Sequence, residues 1–288
     1  MGIYERAYAK INLYLDVISR RNDGFHSLCS VMQTVGLYDG VTVEAIPAAE
    51  PCISITACGK YRVPCGSDNL AHRAALSYMH ALGRYFSVSI RLDKRIPVAA
   101  GLGGGSADAA AVLRAMHRIS GRRLPEEELF GIASSLGSDV PFCLLGGTRL
   151  CEGRGERMRP LAPCPPLPIV ILPSPERVST PAAYSALDRK FSSFDPPGSH
   201  SDIDAMLDAL KAQDPTAVVG ALYNIFEDVI LPTCPVALSN RDRLISLGAR
   251  AALMSGSGAT MIGFFADTHA AERAAAALGD FAVATTTV

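Results

Sequence analysis

The chain has 288 residues, 49% of them hydrophobic and 19% charged, which excludes a disordered chain and, at about 150 residues per domain, leaves room for two domains. Its 27 basic and 28 acidic residues leave a net charge of −1 and a pI near 6.6, without the electrostatic footprint of a duplex-DNA or anionic-membrane binder. A small molecule is the expected partner, with no nucleic acid and no membrane.

Glu5, Arg6 and Lys10 interrupt the first ten residues, so no signal peptide is readable, and Arg6 stands where a myristoylation signal needs Ser or Thr. The charge-free stretches near 161–175 and 251–266 are broken by prolines or by Ser255-Gly256-Ser257-Gly258, and neither suits a membrane span. A cytoplasmic protein, monomer or homodimer, is expected. The eight cysteines form no C-x-x-C pair and have no histidine at zinc spacing, so they read as reduced small hydrophobes.

Taken in order, Ile11, Leu13, Leu15 and Val17 alternate with Asn12, Tyr14 and Asp16, which predicts a strand whose polar face carries Lys10 and Asn12. Arg20 to Gly24 is a turn, and strands are expected over 31–37, 41–45 and 52–56. Ser67 or Asp68 caps a helix running to Gly83, a strand follows at 88–92, and an alanine-rich helix covers 105–119. Pro125, Glu126 to Glu128 and Gly137 bracket another helix.

The proline-rich stretch 160–175 reads as a boundary, placing domains at 1–160 and 161–288. Beyond it come a strand at 169–172, a helix opened by Thr180-Pro181, and a polar loop near 190–201 expected to be disordered. Helices follow near 203–212, 215–225 and 236–247, then strands at 250–254 and 260–265, a helix at 268–278 and a strand at 281–287. With inserted helices in its first crossover, this second half has the order β-α-β-β-α-β, a split ferredoxin-like arrangement. The whole chain is α+β.

Three segments bear on chemistry. Pro97 to Ala111 contains Gly101-Leu102-Gly103-Gly104-Gly105-Ser106-Ala107 ahead of a helix, where exposed N–H groups and the helix dipole make an anion cradle. It is neither a Walker loop nor a G-x-G-x-x-G fingerprint, and by itself it is equally a tight strand-to-helix turn. In Gly137-Ser138-Asp139-Val140-Pro141-Phe142, Asp139 enters an apolar run. A phosphoryl-transfer enzyme needs such a carboxylate to orient the attacking hydroxyl and a cation such as Lys10 to neutralise phosphoryl oxygens, although a turn aspartate bonding its own backbone fits that place as well. Ser255-Gly256-Ser257-Gly258 joins two strands, as a turn over a ligand or a plain hairpin.

Together these segments resemble the GHMP kinase superfamily. Ala9-Lys10-Ile11-Asn12-Leu13, Arg21 to His26, the glycine loop, Gly137 to Phe142 and Ser255 to Gly258 narrow the resemblance to the branch acting on a cytidine-diphosphate methylerythritol in the non-mevalonate isoprenoid route. It implies a two-domain fold with a mixed α/β N-terminal domain carrying the phosphate loop and a ferredoxin-like C-terminal domain. It further implies an ATP-dependent small-molecule kinase that uses Mg²⁺ and transfers phosphate to an alcohol, the 2-hydroxyl of the methylerythritol.

By the same resemblance, Asp139 is the catalytic base and Lys10 its partner. The nucleotide site comprises Pro97, Gly101, Leu102, Gly103, Gly104, Gly105, Ser106 and Ala107, with Asn69 and Lys94 near the adenosine. Asn12, Phe25, His26 and Tyr184 are substrate-binding positions, two of them aromatic rings for stacking cytosine. The chain departs from the pattern at Phe25, where a tyrosine is usual, and at Ala107, where a serine is common. Rival readings are a homoserine, mevalonate or sugar kinase of the same superfamily, a nucleotide-binding scaffold without turnover, and a dinucleotide-dependent oxidoreductase. The last is disfavoured because no βαβ unit with an acidic residue about 20 positions past the loop is evident.

Overall fold

The computed structural model describes residues 2–176, 178–191 and 203–288. In chain order, β1 spans Ile3–Arg20, β2 His26–Pro47, β3 Cys52–Gly59, α1 Leu70–Leu82, β4 Phe86–Lys94, α2 Gly104–Ile119, α3 Glu126–Leu136 and α4 Val140–Leu145. Then come β5 Thr148–Gly153, β6 Arg157–Pro160, β7 Pro168–Leu172, α5 Thr180–Lys190, α6 Ile203–Ala212, α7 Pro215–Gly220, β8 Tyr223–Asn224 and α8 Glu227–Ile230. A 3₁₀ turn at Leu231–Thr233 leads to α9 Pro235–Ser246, β9 Ala251–Met254, β10 Met261–Phe264, α10 Thr268–Leu278 and β11 Val283–Thr286.

The chain forms two compact units that interleave along the sequence: residues 1–10, 37–98 and 103–146 make one, and 11–36, 99–102 and 147–288 the other. Strands β1 and β2 supply residues to both.

In the first unit, β4 runs antiparallel to β2 from Gly40↔Asp93 to Pro47↔Phe86 and parallel to β3 from Cys52↔Ser87 to Gly59↔Lys94. Val88, Ile90 and Leu92 are buried on one face of β4 while Ser87, Ser89 and Arg91 are exposed, the period of two read from the sequence. Helices α1 to α4 pack on one another. The buried alanines of α2 (107, 109, 110, 111 and 115) let its backbone approach its neighbours closely, whereas Val112, Leu113 and Met116 supply bulk. Burying each such large side chain contributes about 1.5–3 kcal/mol.

In the second unit, β2 pairs antiparallel with β5 from Leu28↔Gly153 to Gln33↔Thr148, and β8 joins β1 in parallel at Tyr14↔Tyr223. A separate four-stranded antiparallel sheet has the order β11-β7-β10-β9, the split ferredoxin-like topology expected from the element order. Val170, Leu172, Leu187, Phe226, Leu244, Met254, Met261 and Phe265 form its core.

Four local expectations are corrected. Helix α1 is capped by Asn69, whose Oδ1 accepts from Ala71 N–H at 2.9 Å, and not by Ser67 or Asp68. The strands expected over 31–37 and 41–45 are one continuous strand, which runs through Asp39-Gly40 without turning because Gly40 keeps its ladder pairing with Asp93 of β4. The polar alternants of β1 do not face water: Lys10, Asn12, Tyr14 and Asp16 are all buried, so both faces of this strand are covered. The helix expected over 215–225 stops at Gly220, and Tyr223–Asn224 turn to pair with β1. The hairpin β5–β6 and the six-residue α4 carry too little periodicity to be read from sequence. From residue 192 on, the loop expected near 190–201 lies outside the described residues.

Candidate active site

In the first unit, three elements meet at Lys10 and Asp139. Lys10 lies on β1 and is 5% exposed, its Nζ 3.6 Å from Asp139 Oδ2. Asp139 occupies the position before α4, where its carbonyl accepts from Cys143 N–H at 3.0 Å, but its side chain makes no capping bond. The carboxylate therefore remains directed at the lysine and solvent, with 38% of the side chain exposed.

The start of α2 closes this corner. Gly103 precedes the helix with φ of 70°, and a Cβ there would lie 3.1 Å from Lys10 Cγ and 3.7 Å from Cys143 Sγ. Glycine thus provides both the left-handed backbone and the clearance for the Lys10 stem. No side chain caps α2, so the first-turn N–H groups at Gly104, Gly105 and Ser106, which a helix cannot satisfy from its own ladder, remain available to an anion. Ala107 differs: its N–H is bonded to the Gly103 carbonyl at 2.8 Å and its side chain is buried. Burial also pushes the Cys143 thiol pKa far up, which keeps that neighbour neutral.

At the exit of β4, Lys94 is turned into the interior and donates to Asp39 and, at 2.5 Å, to Asp108 Oδ2. Asp39 Oδ1 also accepts the N–H groups of Arg95 and Ile96, at 2.5 and 2.8 Å. The cluster joins β2, the end of β4 and the second turn of α2, and so brackets the residues between β4 and α2. Desolvation pushes the Asp108 carboxyl up to about 7 against the pull of Lys94, and nearby Asp39 adds to the rise. Asp108 Oδ1 finds no hydrogen-bond partner. The ammonium of Lys94 is thus committed to two carboxylates. The Asn69 side chain is likewise engaged, capping α1 and donating to the Pro64 carbonyl at 2.7 Å. Sequence reasoning gave Lys94 and Asn69 contacts to adenosine and did not single out Asp39 or pair it with Asp108.

In the second unit, His26 at the start of β2 stacks on Tyr184 of α5, with ring centres 4.7 Å apart and planes inclined by 24°. His26 Nε2 lies 2.7 Å from Asp188 Oδ1. Tyr184 and Asp188 are one helical turn apart on α5, so both reach the same imidazole. Phe226 packs edge-on against Tyr184 at 5.0 Å. Phe25 is half exposed, and the Arg154 guanidinium sits 3.6 Å from its ring centre in a cation–π contact. Asn12 is buried and donates to Ser30 Oγ at 2.8 Å, while Ser30 donates to the Tyr14 carbonyl.

The turn between β9 and β10 is held from two sides. Asn224 Nδ2 donates to the Met254 and Gly256 carbonyls at 2.7 and 2.8 Å, and Glu227 Oε1 accepts from Met254 N–H at 2.6 Å. Ser255 Oγ donates to the Gly101 carbonyl at 3.2 Å. Gly101 has φ of 72°, and a Cβ there would meet the Ser255 carbonyl oxygen at 2.5 Å. Asn224, Glu227 and Asp188 were not singled out by sequence reasoning, although Asn224-x-x-Glu227 and the i, i+4 spacing of Tyr184 and Asp188 were available signals.

Among the described residues, no group of three or more His, Cys, Asp or Glu side chains is arranged to hold a metal ion, and no helix is long and apolar enough to cross a membrane.

Residues 69–147 match the family described as GHMP kinases N terminal domain, and residues 206–284 match GHMP kinases C terminal. The chain is 42% identical, over 96% of its length and 93% of the relative's, to the 4-diphosphocytidyl-2-C-methyl-D-erythritol kinase of Pelotomaculum thermopropionicum. It is 39% identical to the enzyme of the same name from Caldicellulosiruptor saccharolyticus, over 94% of this chain and 90% of that one. A crystal structure of 4-(cytidine 5'-diphospho)-2C-methyl-D-erythritol kinase superposes with a TM-score of 0.83 at 37% identity, covering 99% of each chain. Full-length similarity of this degree, with both halves of the family pattern in order, makes the chain a member of the GHMP kinases, in the 4-diphosphocytidyl-2-C-methyl-D-erythritol kinase family.

Proposed function

We propose that the chain transfers the γ-phosphoryl group of ATP to the 2-hydroxyl of 4-diphosphocytidyl-2-C-methyl-D-erythritol. The observation that carries this reading is the Lys10–Asp139 pair beside the uncapped start of α2, in a chain whose relatives bear that kinase's name. Phosphoryl transfer needs positioning and charge stabilisation more than covalent chemistry. Asp139 is exposed enough to orient the acceptor hydroxyl and take its proton. Lys10, with its stem confined against Gly103, holds that carboxylate in place and supplies a positive charge. The N–H groups of Gly104, Gly105 and Ser106 bind phosphate oxygens, and no phosphoenzyme is required.

Mg²⁺ fits a site of this kind, because the ion keeps several waters and takes one or two protein ligands besides substrate phosphates. Asp139 and the Ser106 hydroxyl would reach it, and when bound it neutralises phosphoryl charge. Pro97 and Leu102 support the loop through the backbone, their side chains being buried. In the second unit, His26 and Tyr184 offer the polar edge and aromatic face that a cytosine ring requires, and Phe25 and Asn12 are assigned to the same substrate by the family resemblance. The functional division of the chain at 1–160 and 161–288 is retained, supported by the two family spans lying on either side of it. The protein works in the cytoplasm as a monomer or homodimer.

ADP release measured with Mg-ATP and a panel of cytidine-diphospho-methylerythritol, mevalonate and homoserine tests the reading. Release is expected with the first acceptor alone; release with another acceptor, or with none of the three, overturns it.

A further inference from the structure

Arg114, on the third turn of α2, uses all three guanidinium nitrogens. Nε donates to Glu5 Oε2 at 3.0 Å, Nη2 to the Arg6 carbonyl at 3.0 Å, and Nη1 to the Cys143 carbonyl at 2.9 Å. The first two acceptors belong to β1, in the segment that leads to Lys10. The third belongs to α4, one turn beyond Asp139, whose own carbonyl accepts from Cys143 N–H. Glu5 is held in turn by Arg118 Nη1 at 2.8 Å.

Lys10 and Asp139 lie on elements far apart in sequence, so their 3.6 Å separation depends on how α4 is seated against β1. One planar side chain with fixed donor directions bonds to both elements and is rooted in α2, the helix whose first turn faces the same pair. The Arg114 side chain is 28% exposed, so the strut is only partly dry and is not a core packing element.

We propose that Arg114 is a positioning residue for phosphoryl transfer, its guanidinium fixing α4 against β1 and thereby setting the distance between Lys10 and Asp139. This rests on the reading of Lys10 and Asp139 as the transfer pair. Lysine cannot reproduce a three-way planar fork, and misplacement of a reacting group by about 1 Å costs up to about a hundredfold in rate.

The test compares Arg114→Met, Arg114→Lys, Asp139→Asn and the double variant Arg114→Met/Asp139→Asn, with thermal melts to establish folding. Arg114→Met is expected to lower kcat at least about tenfold with both KM values within about twofold, and Arg114→Lys to fall between it and the parent enzyme. In the Asp139→Asn background the Arg114→Met loss should shrink to under about twofold, because residues acting as a unit are not additive. A folded Arg114→Met enzyme with the parent kcat overturns the inference, as does a loss of undiminished size in the double variant. Should Asp139→Asn itself turn over normally, the assignment of the transfer pair fails and Arg114 loses its stated purpose. That outcome is distinct from an impaired Asp139→Asn enzyme with an unimpaired Arg114→Met.

Discussion

Lys10 Nζ stands 3.6 Å from Asp139 Oδ2, the lysine sealed in the protein and the aspartate more than a third exposed. Under the proposed function, that asymmetry suits the carboxylate to handling the proton and the ammonium to holding it in place. Asp139→Asn keeps the shape and removes the base, so kcat is expected to fall at least about a hundredfold with the melting temperature nearly unchanged. Lys10→Ala is expected to lower kcat as well. Steady-state kinetics decide: a Lys10→Ala enzyme altered only in KM would make the lysine a binding group, and an active Asp139→Asn enzyme would remove that residue from the chemistry.

Two glycines of the phosphate loop have different neighbours and should fail differently. In Gly101→Ala the new Cβ meets a backbone carbonyl at 2.5 Å and the backbone is left-handed, so a stability loss of about 1–3 kcal/mol is expected from the strained conformation alone. In Gly103→Ala the backbone is equally left-handed, but the contact is with Lys10 Cγ at 3.1 Å, a flexible stem that can shift, so the stability loss should be the smaller of the two and turnover should fall through the displaced lysine. Calorimetry paired with kinetics on both variants checks the contrast, and equal melting temperatures with equal rates would remove it.

Tyr184 is packed between His26 and Phe226, with one ring neighbour stacked and the other edge-on. Tyr184→Ala is expected to weaken binding of the cytidine substrate by about 1–3 kcal/mol, the range for base–aromatic stacking, while leaving ATP affinity close to normal. Tyr184→Phe, which keeps the ring, should bind almost as the parent does. Titration calorimetry of the cytidine substrate measures this directly; unchanged affinity in Tyr184→Ala would make the ring a packing element only.

Asp108 gives stability a pH dependence. Burial raises its carboxyl pKa from 3.8 to about 7, so between these values the folded protein holds a proton that the unfolded chain has released. The contribution of this group is therefore greatest below about pH 4 and is lost as pH rises towards about 7. Asp108→Asn, which cannot ionise, should flatten the fall of melting temperature between about pH 4 and 7. An unchanged slope would mean that the Lys94–Asp39–Asp108 cluster does not titrate in this range.

Much of this protein was legible in its residue order. The period of two over Val88 to Leu92, the alanine-rich run after the glycine cluster and the β-α-β-β-α-β order of the second half each report local physics, and the structure has all three. Family motifs marked Lys10, Asp139, His26 and Tyr184. Their distances are tertiary facts, since nothing within a few residues of Lys10 dictates where α4 will lie. The same holds for Lys94, which the resemblance puts near the adenosine and which is a buried cation only because Asp39 and Asp108 arrive from other elements. Arg114 carries no signature, and the spacings that involve Asp188 and Asn224 do not name their partners, for a similar reason: each acts through long-range partners on strands, helices or backbone carbonyls that only the folded chain brings within 3.0 Å. Local sequence thus determined the elements and the chemistry they carry, and chain folding decided which charges meet, because those contacts join segments that sequence proximity does not bring together.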